Sequence, residues 1–180
     1  TEMLLLKFVD DSGAIGMLNW YALHPTAMNS YNHLISGDHK GYASLQMERQ
    51  HGASYQLADD FVAAFAQSDP GDVTPNMNLD NTGPGATDVQ TTRIMGDIQL
   101  QEAQQLFARA TEALAGPVDT RRIYVDLSNY AVQDRFTGMG IQHTCPSAYG
   151  YSFAGGSTED GGGHFLFREG MTEQSLWRDW

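Results

Sequence analysis

The chain has 180 residues, a hydrophobic fraction of 41%, and a net charge of -12 from 10 Lys and Arg against 22 Asp and Glu. That length holds one domain with an ordinary core, and the acidity argues against a nucleic-acid partner or a polybasic membrane anchor. Cys145 is the single cysteine, so no internal disulfide can form, and no run approaches the roughly 18 apolar residues of a membrane span.

Thr1-Glu2-Met3 leads directly into an apolar run, Leu4 to Val9, so no signal peptide is read at the start. The lack of a starting Met and an end at Trp180 give the expectation of a piece cut from something longer. Met3 to Val9 reads as a strand closed by the turn signal Asp10-Asp11-Ser12-Gly13, and Ala14 to Leu23 as a second strand forming a hairpin with it. By two-residue parity Leu18, Trp20, Ala22 and His24 share one face. Thr26 to Gly37 is polar and irregular. Asp38 is placed to cap a helix from about His39 to Gln50, stopped by Gly52. Phe61 to Ala66 is continuously apolar and short, which predicts a strand buried on both faces.

A loop rich in Gly, Pro, Asn and Asp follows to about Thr87. A long helix is predicted over Asp88 to Ala115, with Leu100, Ala103, Phe107, Ala110 and Leu114 on one stripe and Gly116-Pro117 as its end. Arg122 to Leu127 alternates as a further strand, with Ile123, Val125 and Leu127 on one side. Tyr149 to Gly163 is dominated by glycine and small polar residues and suits a close-packed loop. The order β-β-α-β-α-β predicts an α/β layered domain with a mixed β-sheet flanked by helices.

Two segments carry candidate chemistry. His24 ends an apolar run and is pinned by Pro25, because the residue before proline avoids the helical region. A neutral imidazole held in one orientation is a common zinc ligand. A histidine hydrogen-bonded at the rim of a core is the plainer reading, and spacing alone leaves both open. No His-Glu-x-x-His pair or close cysteine pair accompanies it, whereas catalytic zinc takes about three protein ligands. His33 and His39 read as surface or local hydrogen-bonding residues, and His51, His143 and His164 carry no signal. Thr74 lies in Gly71-Asp72-Val73-Thr74-Pro75-Asn76, delivered to the sheet edge by the preceding strand. Its hydroxyl is a candidate nucleophile or hydrogen-bond donor to substrate; an ordinary turn, with Asp72 and Asn76 bonding local backbone, is the alternative. The run Ala154 to Gly163 could supply backbone donors to an anion, or Glu159 and Asp160 a hard cation, but a tight structural loop fits its composition as well.

Taken together and in order, these segments resemble one family, the neutral non-lysosomal ceramidases. Asn19 to Asn29, with Asn32 to Asp38 and Lys40-Gly41-Tyr42-Ala43, is similar to the family's second histidine region. Phe61 to Gln67 with Gly71 to Asn76 is similar to its hexapeptide and the strand before it, and Ala154 to Gly161 to a third segment. The resemblance implies that residues 1–180 are part of a single, incomplete catalytic domain. It implies a zinc-dependent amide hydrolase that cleaves the N-acyl bond of ceramide to sphingosine and a fatty acid. His24 matches one of two zinc histidines; the other lies upstream and the Glu and Tyr ligands downstream of the matched segment. Gly71, Asp72 and Asn76 are the expected substrate-binding neighbours of Thr74, which stands where the family usually carries serine. The added methyl group crowds direct attack but spares hydrogen bonding, which favours zinc-activated water as nucleophile and Thr74 as the positioning group. A related zinc hydrolase of other N-acyl lipids or esters, and a non-catalytic relic of the fold, are the alternatives. The implied partner is ceramide or a similar lipid, reached by transient contact with a membrane surface, with no oligomer expected. The implied location is secreted, periplasmic or cell-surface.

Overall fold

The first hairpin is fixed by its turn chemistry. Ser12 donates to Asp10 Oδ1 from its N–H at 2.8 Å and from its hydroxyl at 2.6 Å. Gly13 follows with φ +123°, a conformation open to a residue without a Cβ. This turn joins β1 (Leu4–Asp10) to β2 (Gly13–Tyr21) as an antiparallel pair. β3 (Val62–Gln67) then lies parallel to β2, giving the order β1-β2-β3 and the expected mixed sheet. The structure is a computed structural model; it describes residues 2–171 except positions 30, 58, 72, 79–81, 147–149, 157–164 and 169–170.

Two helices cover the sheet. α1 (Asp38–Gln50) connects β2 to β3, and α2 (Asp88–Arg109) follows β3. Met17 of β2, Ala63 of β3, Ala43 and Met47 of α1, and Leu100 and Ala103 of α2 join Phe61 in one buried cluster. Pairing of Met17 with Ala63 and of Leu5 with Asn19 puts these side chains on a single face, so α1 and α2 cover that face together. Gly52, at φ +80°, ends α1 as its sequence suggested. Thr87 caps α2, accepting from Gln90 N–H at 3.2 Å, and the Gln90 side chain returns to accept from Ala86 N–H at 3.0 Å.

The opposite face of the sheet corrects one expectation. Leu4, Leu6 and Phe8 stand in register with Trp20, Leu18 and Gly16, and these with Ala66, Ala64 and Val62. Every position is apolar or glycine, yet Leu4 is 63% exposed, Val62 59% and Phe8 47%. β3 is therefore buried on one face only, because both helices lie on the other side. Its unbroken apolar sequence records the composition of a two-sided strand, not its surroundings in this chain.

α2 is shorter than its periodicity predicts. Leu100 and Ala103 are buried and Phe107 packs beside them, but the helix ends at Arg109 and Leu114 is 80% exposed. The stripe loses its packing partner before Gly116-Pro117 is reached, and packing rather than pattern sustains a helix. At the other helix contact, Gly96 of α2 lets the backbones approach: a Cβ there would lie 2.5 Å from Tyr42 Cδ1 and 2.9 Å from the His39 carbonyl oxygen.

The chain divides into two compact units, one built on Thr1–Glu112 and the other on Ala113–Gly156. The second holds a small antiparallel pair, β4 (Ala131–Val132) with β5 (Gln142–His143), and two short helices, α3 (Asp134–Thr137) and α4 (Tyr151–Gly155). Arg122 to Leu127 is not a strand. Its alternating side chains are exposed, and no ladder pairs with it among the described residues. α4 replaces the beginning of the expected glycine loop, and positions 157–163 of that loop lie outside the described residues. No helix among the described residues is long and apolar enough to cross a membrane.

Replacing Gly96 by Ala sets two effects against each other. Alanine favours a helix interior by about 1 kcal/mol. The clash with the Tyr42 ring and with main chain costs about 1–3 kcal/mol. Gly96→Ala should therefore destabilise the chain by up to about 2 kcal/mol. Urea unfolding should show a lower midpoint at unchanged slope, and a raised midpoint would contradict the packing described.

Candidate active site

β2 ends at Tyr21, and the chain continues extended through the buried Ala22 and Leu23 to His24. His24 is half-buried and is held at several points. Its N–H donates to the Val73 carbonyl at 3.0 Å, and its ring Nδ1 lies 3.0 Å from the same oxygen. A carbonyl only accepts, so Nδ1 carries the ring proton and Nε2 keeps its lone pair. The His24 carbonyl accepts from Thr26 N–H at 2.9 Å and from His39 Nε2 at 2.8 Å.

The start of α1 supplies most of the remaining anchors. Asp38, His39 and Lys40 are consecutive and all buried. Asp38, at φ +52°, does not cap the helix as the sequence suggested. Its carboxylate accepts from Ala27 N–H at 3.2 Å, Met28 N–H at 2.8 Å and His39 N–H at 2.6 Å. These bonds bind the loop after His24 to the head of α1. Lys40 Nζ donates to the Tyr21 carbonyl at 2.9 Å and the Ala66 carbonyl at 3.2 Å, tying together the ends of the two parallel strands. Burial pulls the Lys40 ammonium down to about 8.

His39 is neither at the surface nor locally bonded, as its position in the sequence suggested. It is fully buried between α1 and α2, with a partner on each nitrogen. Gln99 Nε2 lies 2.8 Å from His39 Nδ1 and donates to the Met95 carbonyl at 3.0 Å. The Met95 contact demands the amide N–H there, so Gln99 donates to Nδ1 and His39 Nε2 is the protonated nitrogen that meets the His24 carbonyl. Burial holds the His39 pKa below its ordinary 6.5, against the opposing pull of the His24 carbonyl and the Asp38 charge.

The loop after β3 presents Thr74. Val73 N–H donates to the Pro70 carbonyl at 2.9 Å, closing a turn in which Gly71 has φ +55°. A Cβ on Gly71 would meet nothing within 4 Å, so its glycine answers a left-handed backbone, not a crowded one. Thr74 Oγ1 accepts from Asn76 N–H at 3.5 Å, and Pro75 is buried behind it. Thr74, Pro75 and Asn76 form one wall of a cleft of about 300 Å³; Thr26, Ala27, Asn29 and Tyr31 form a second, and the N-terminal turn of α2 with the Thr82–Ala86 loop closes it. Asn29 N–H reaches Asp88 Oδ2 across that end at 3.4 Å.

The structure thus brings together His24, Thr74 and Asn76 at the end of the sheet, with Val73 as the link. His24 itself is not in the cleft wall, Gly71 lies outside it, and Asp72 is not among the described residues. Sequence reasoning missed Asp38, His39, Lys40 and Gln99. One signal was available: three successive polar residues between Gly37 and Gly41, opening a helix whose next turns carry the core residues Ala43 and Met47. Gly37 itself needs to be small, since a Cβ there would lie 2.8 Å from Gly41 Cα.

The whole chain, residues 1–180, is matched by a family model described as neutral/alkaline non-lysosomal ceramidase, N-terminal. A neutral ceramidase of Pseudomonas aeruginosa is 39% identical over 171 residues, which are 94% of this chain and 25% of that protein. Neutral ceramidase B of Dictyostelium discoideum is 36% identical, over 92% of this chain and 27% of its own length. A solved structure described as ceramidase complexed with C2 superposes with a TM-score of 0.71 at 37% identity, over 96% of this chain and 26% of that one. The chain spans about a quarter of the length of the curated relatives it matches.

Histidine burial predicts an acid limb in the stability of this unit. Because the folded state depresses the His39 pKa, the unfolded chain binds more protons once the pH falls below 6.5. The stability that neutral His39 contributes is present above that value and is lost progressively below it. Urea unfolding at a series of pH values between about 7 and 5 should show a shallower decline for His39→Gln than for the natural chain. Parallel declines would remove His39 as the cause.

Proposed function

The chain belongs to the neutral/alkaline non-lysosomal ceramidase family, and from that premise we propose that it is part of a hydrolase that cleaves the N-acyl bond of ceramide or a closely similar lipid. One observation carries this reading: the Val73 carbonyl takes both the backbone and the ring of His24, so the histidine and the hydroxyl of Thr74 belong to one rigid corner. The polar cleft beside that corner suits the amide and hydroxyl groups of a ceramide head.

His24 fits a zinc ligand. Donation from Nδ1 to a backbone carbonyl is the usual partner of a metal-binding imidazole, and it leaves Nε2 as the ligating atom. One imidazole does not complete a catalytic site, and no cluster of three or more His, Cys, Asp or Glu stands ready to hold a metal among the described residues. His24 would therefore be one ligand of a site that needs further groups beyond those the described residues bring to it. Zinc bound there would polarise the scissile carbonyl and acidify water. Thr74 then serves to orient substrate through its hydroxyl, which lines the cleft and accepts from the Asn76 N–H at 3.5 Å. The Thr74 methyl group crowds covalent attack by that oxygen, which leaves it a hydrogen-bonding role. The site would work outside the cytoplasm or at the outer cell surface, meeting its lipid by transient contact with a membrane.

In the intact protein, His24→Ala should remove both bound zinc and ceramide amidase activity. Unchanged metal content and turnover would rule the assignment out. Thr74→Ala should lower turnover about 100-fold, the cost of one lost transition-state donor. Thr74→Ser should retain turnover. Assay of ceramide beside N-acyl amino acids would separate a ceramidase from a hydrolase of other N-acyl lipids.

A further inference from the structure

His39 is a costly residue to bury. Its ring is fully enclosed, its charge is suppressed, and a leucine or methionine would fill similar space without a desolvation penalty. Both of its nitrogens are nevertheless satisfied, one by Gln99 of α2 and one by the His24 carbonyl. A buried ring with both nitrogens paired is confined to one geometry. Here the geometry it specifies is that of His24.

The bonds run in series. Met95 O orients the Gln99 amide, the amide fixes the His39 tautomer, and the His39 Nε2–H holds the His24 carbonyl. With its carbonyl held, the His24 N–H and ring Nδ1 meet the Val73 oxygen together. We propose that His39, aimed by Gln99, is a positioning residue that fixes the orientation and tautomer of the His24 ring. This rests on the reading of His24 as a ligand through Nε2. His39 is no catalytic group: it is fully enclosed, and neither nitrogen is free to reach the cleft. Nor is it simply a prop of the fold. The His24 carbonyl also accepts from Thr26 N–H at 2.9 Å, a bond that does not involve His39, so we expect the loss of His39 to fall on orientation.

The test uses the isotope-labelled intact protein freed of metal, in which long-range proton–nitrogen NMR reads the His24 tautomer. The natural chain should show the Nδ1–H form. His39→Leu should move the tautomer ratio roughly fivefold toward Nε2–H, the size of one neutral hydrogen bond. His39→Gln, whose amide donor extends in the same direction, should restore the natural pattern. An unchanged His24 pattern in folded His39→Leu overturns the proposal. Should that variant fail to fold, Gln99→Met carries the test: a shifted His24 tautomer supports it and an unshifted one overturns it. Zinc added to the intact protein, where the remaining ligands are available, tests the underlying reading separately. Shifts at His24 Nε2 support the ligand assignment, and their absence defeats that assignment whatever His39 does to the tautomer.

Discussion

The carbonyl of Val73 is the point through which this site is assembled. A carbonyl oxygen has two lone pairs, and His24 takes both, one with its N–H and one with its ring. Two loops that leave the sheet from different strands are joined there with little freedom left to either. The residue after Val73 is Thr74, so the same contact ties the Thr74 loop to His24 and assigns the ring proton to Nδ1. Because the acceptor is main chain, the side chain at position 73 plays no part in it.

That contact needs a rigid approach from the other direction, and the head of α1 provides it. Asp38 takes the N–H groups of Ala27 and Met28, His39 takes the His24 carbonyl, and Lys40 takes the Tyr21 and Ala66 carbonyls near the ends of β2 and β3. Three adjacent polar side chains are thereby buried with most of their hydrogen bonds made to backbone. Unpaired, such groups would each cost several kcal/mol, on the order of what a domain's whole stability can bear. Paired, they convert burial into position. The close approach of α1 and α2 at Gly96 brings Gln99 within reach of His39 and completes the set.

The sheet supports this corner from one side. Its inner face carries the core of Met17, Met47, Ala63 and Leu100, and its outer face is a continuous apolar surface from β1 across to β3. The parallel pairing of β2 with β3 is what delivers His24 and the Thr74 loop to the same edge. An antiparallel arrangement would have sent them to opposite ends.

Local chemistry wrote several of these features directly into the sequence. The Asp10–Gly13 turn, the hairpin, the stop at Gly52 and the mixed sheet follow from turn residues, apolar runs and element order, all of which act within a few residues. The ordered segments around His24 and Thr74 also identified the family. Other features depended on contacts between distant parts. The pattern at Phe61–Ala66 and at Leu114 records an affinity for burial, but only packing decides whether a partner is present, and here Val62 and Leu114 stay exposed among the described residues. Ile123, Val125 and Leu127 alternate like a strand and stay unpaired for the same reason. His39 shows the limit most clearly. Its partners lie 15 residues upstream and 60 downstream, so no local rule could reveal it as a buried link and not a surface histidine. The sequence by itself determined which groups could do chemistry, since that is a property of side chains. Only tertiary structure decided which of them share a corner, because hydrogen bonds across 49 residues, such as that from His24 to Val73, exist only once the chain has folded.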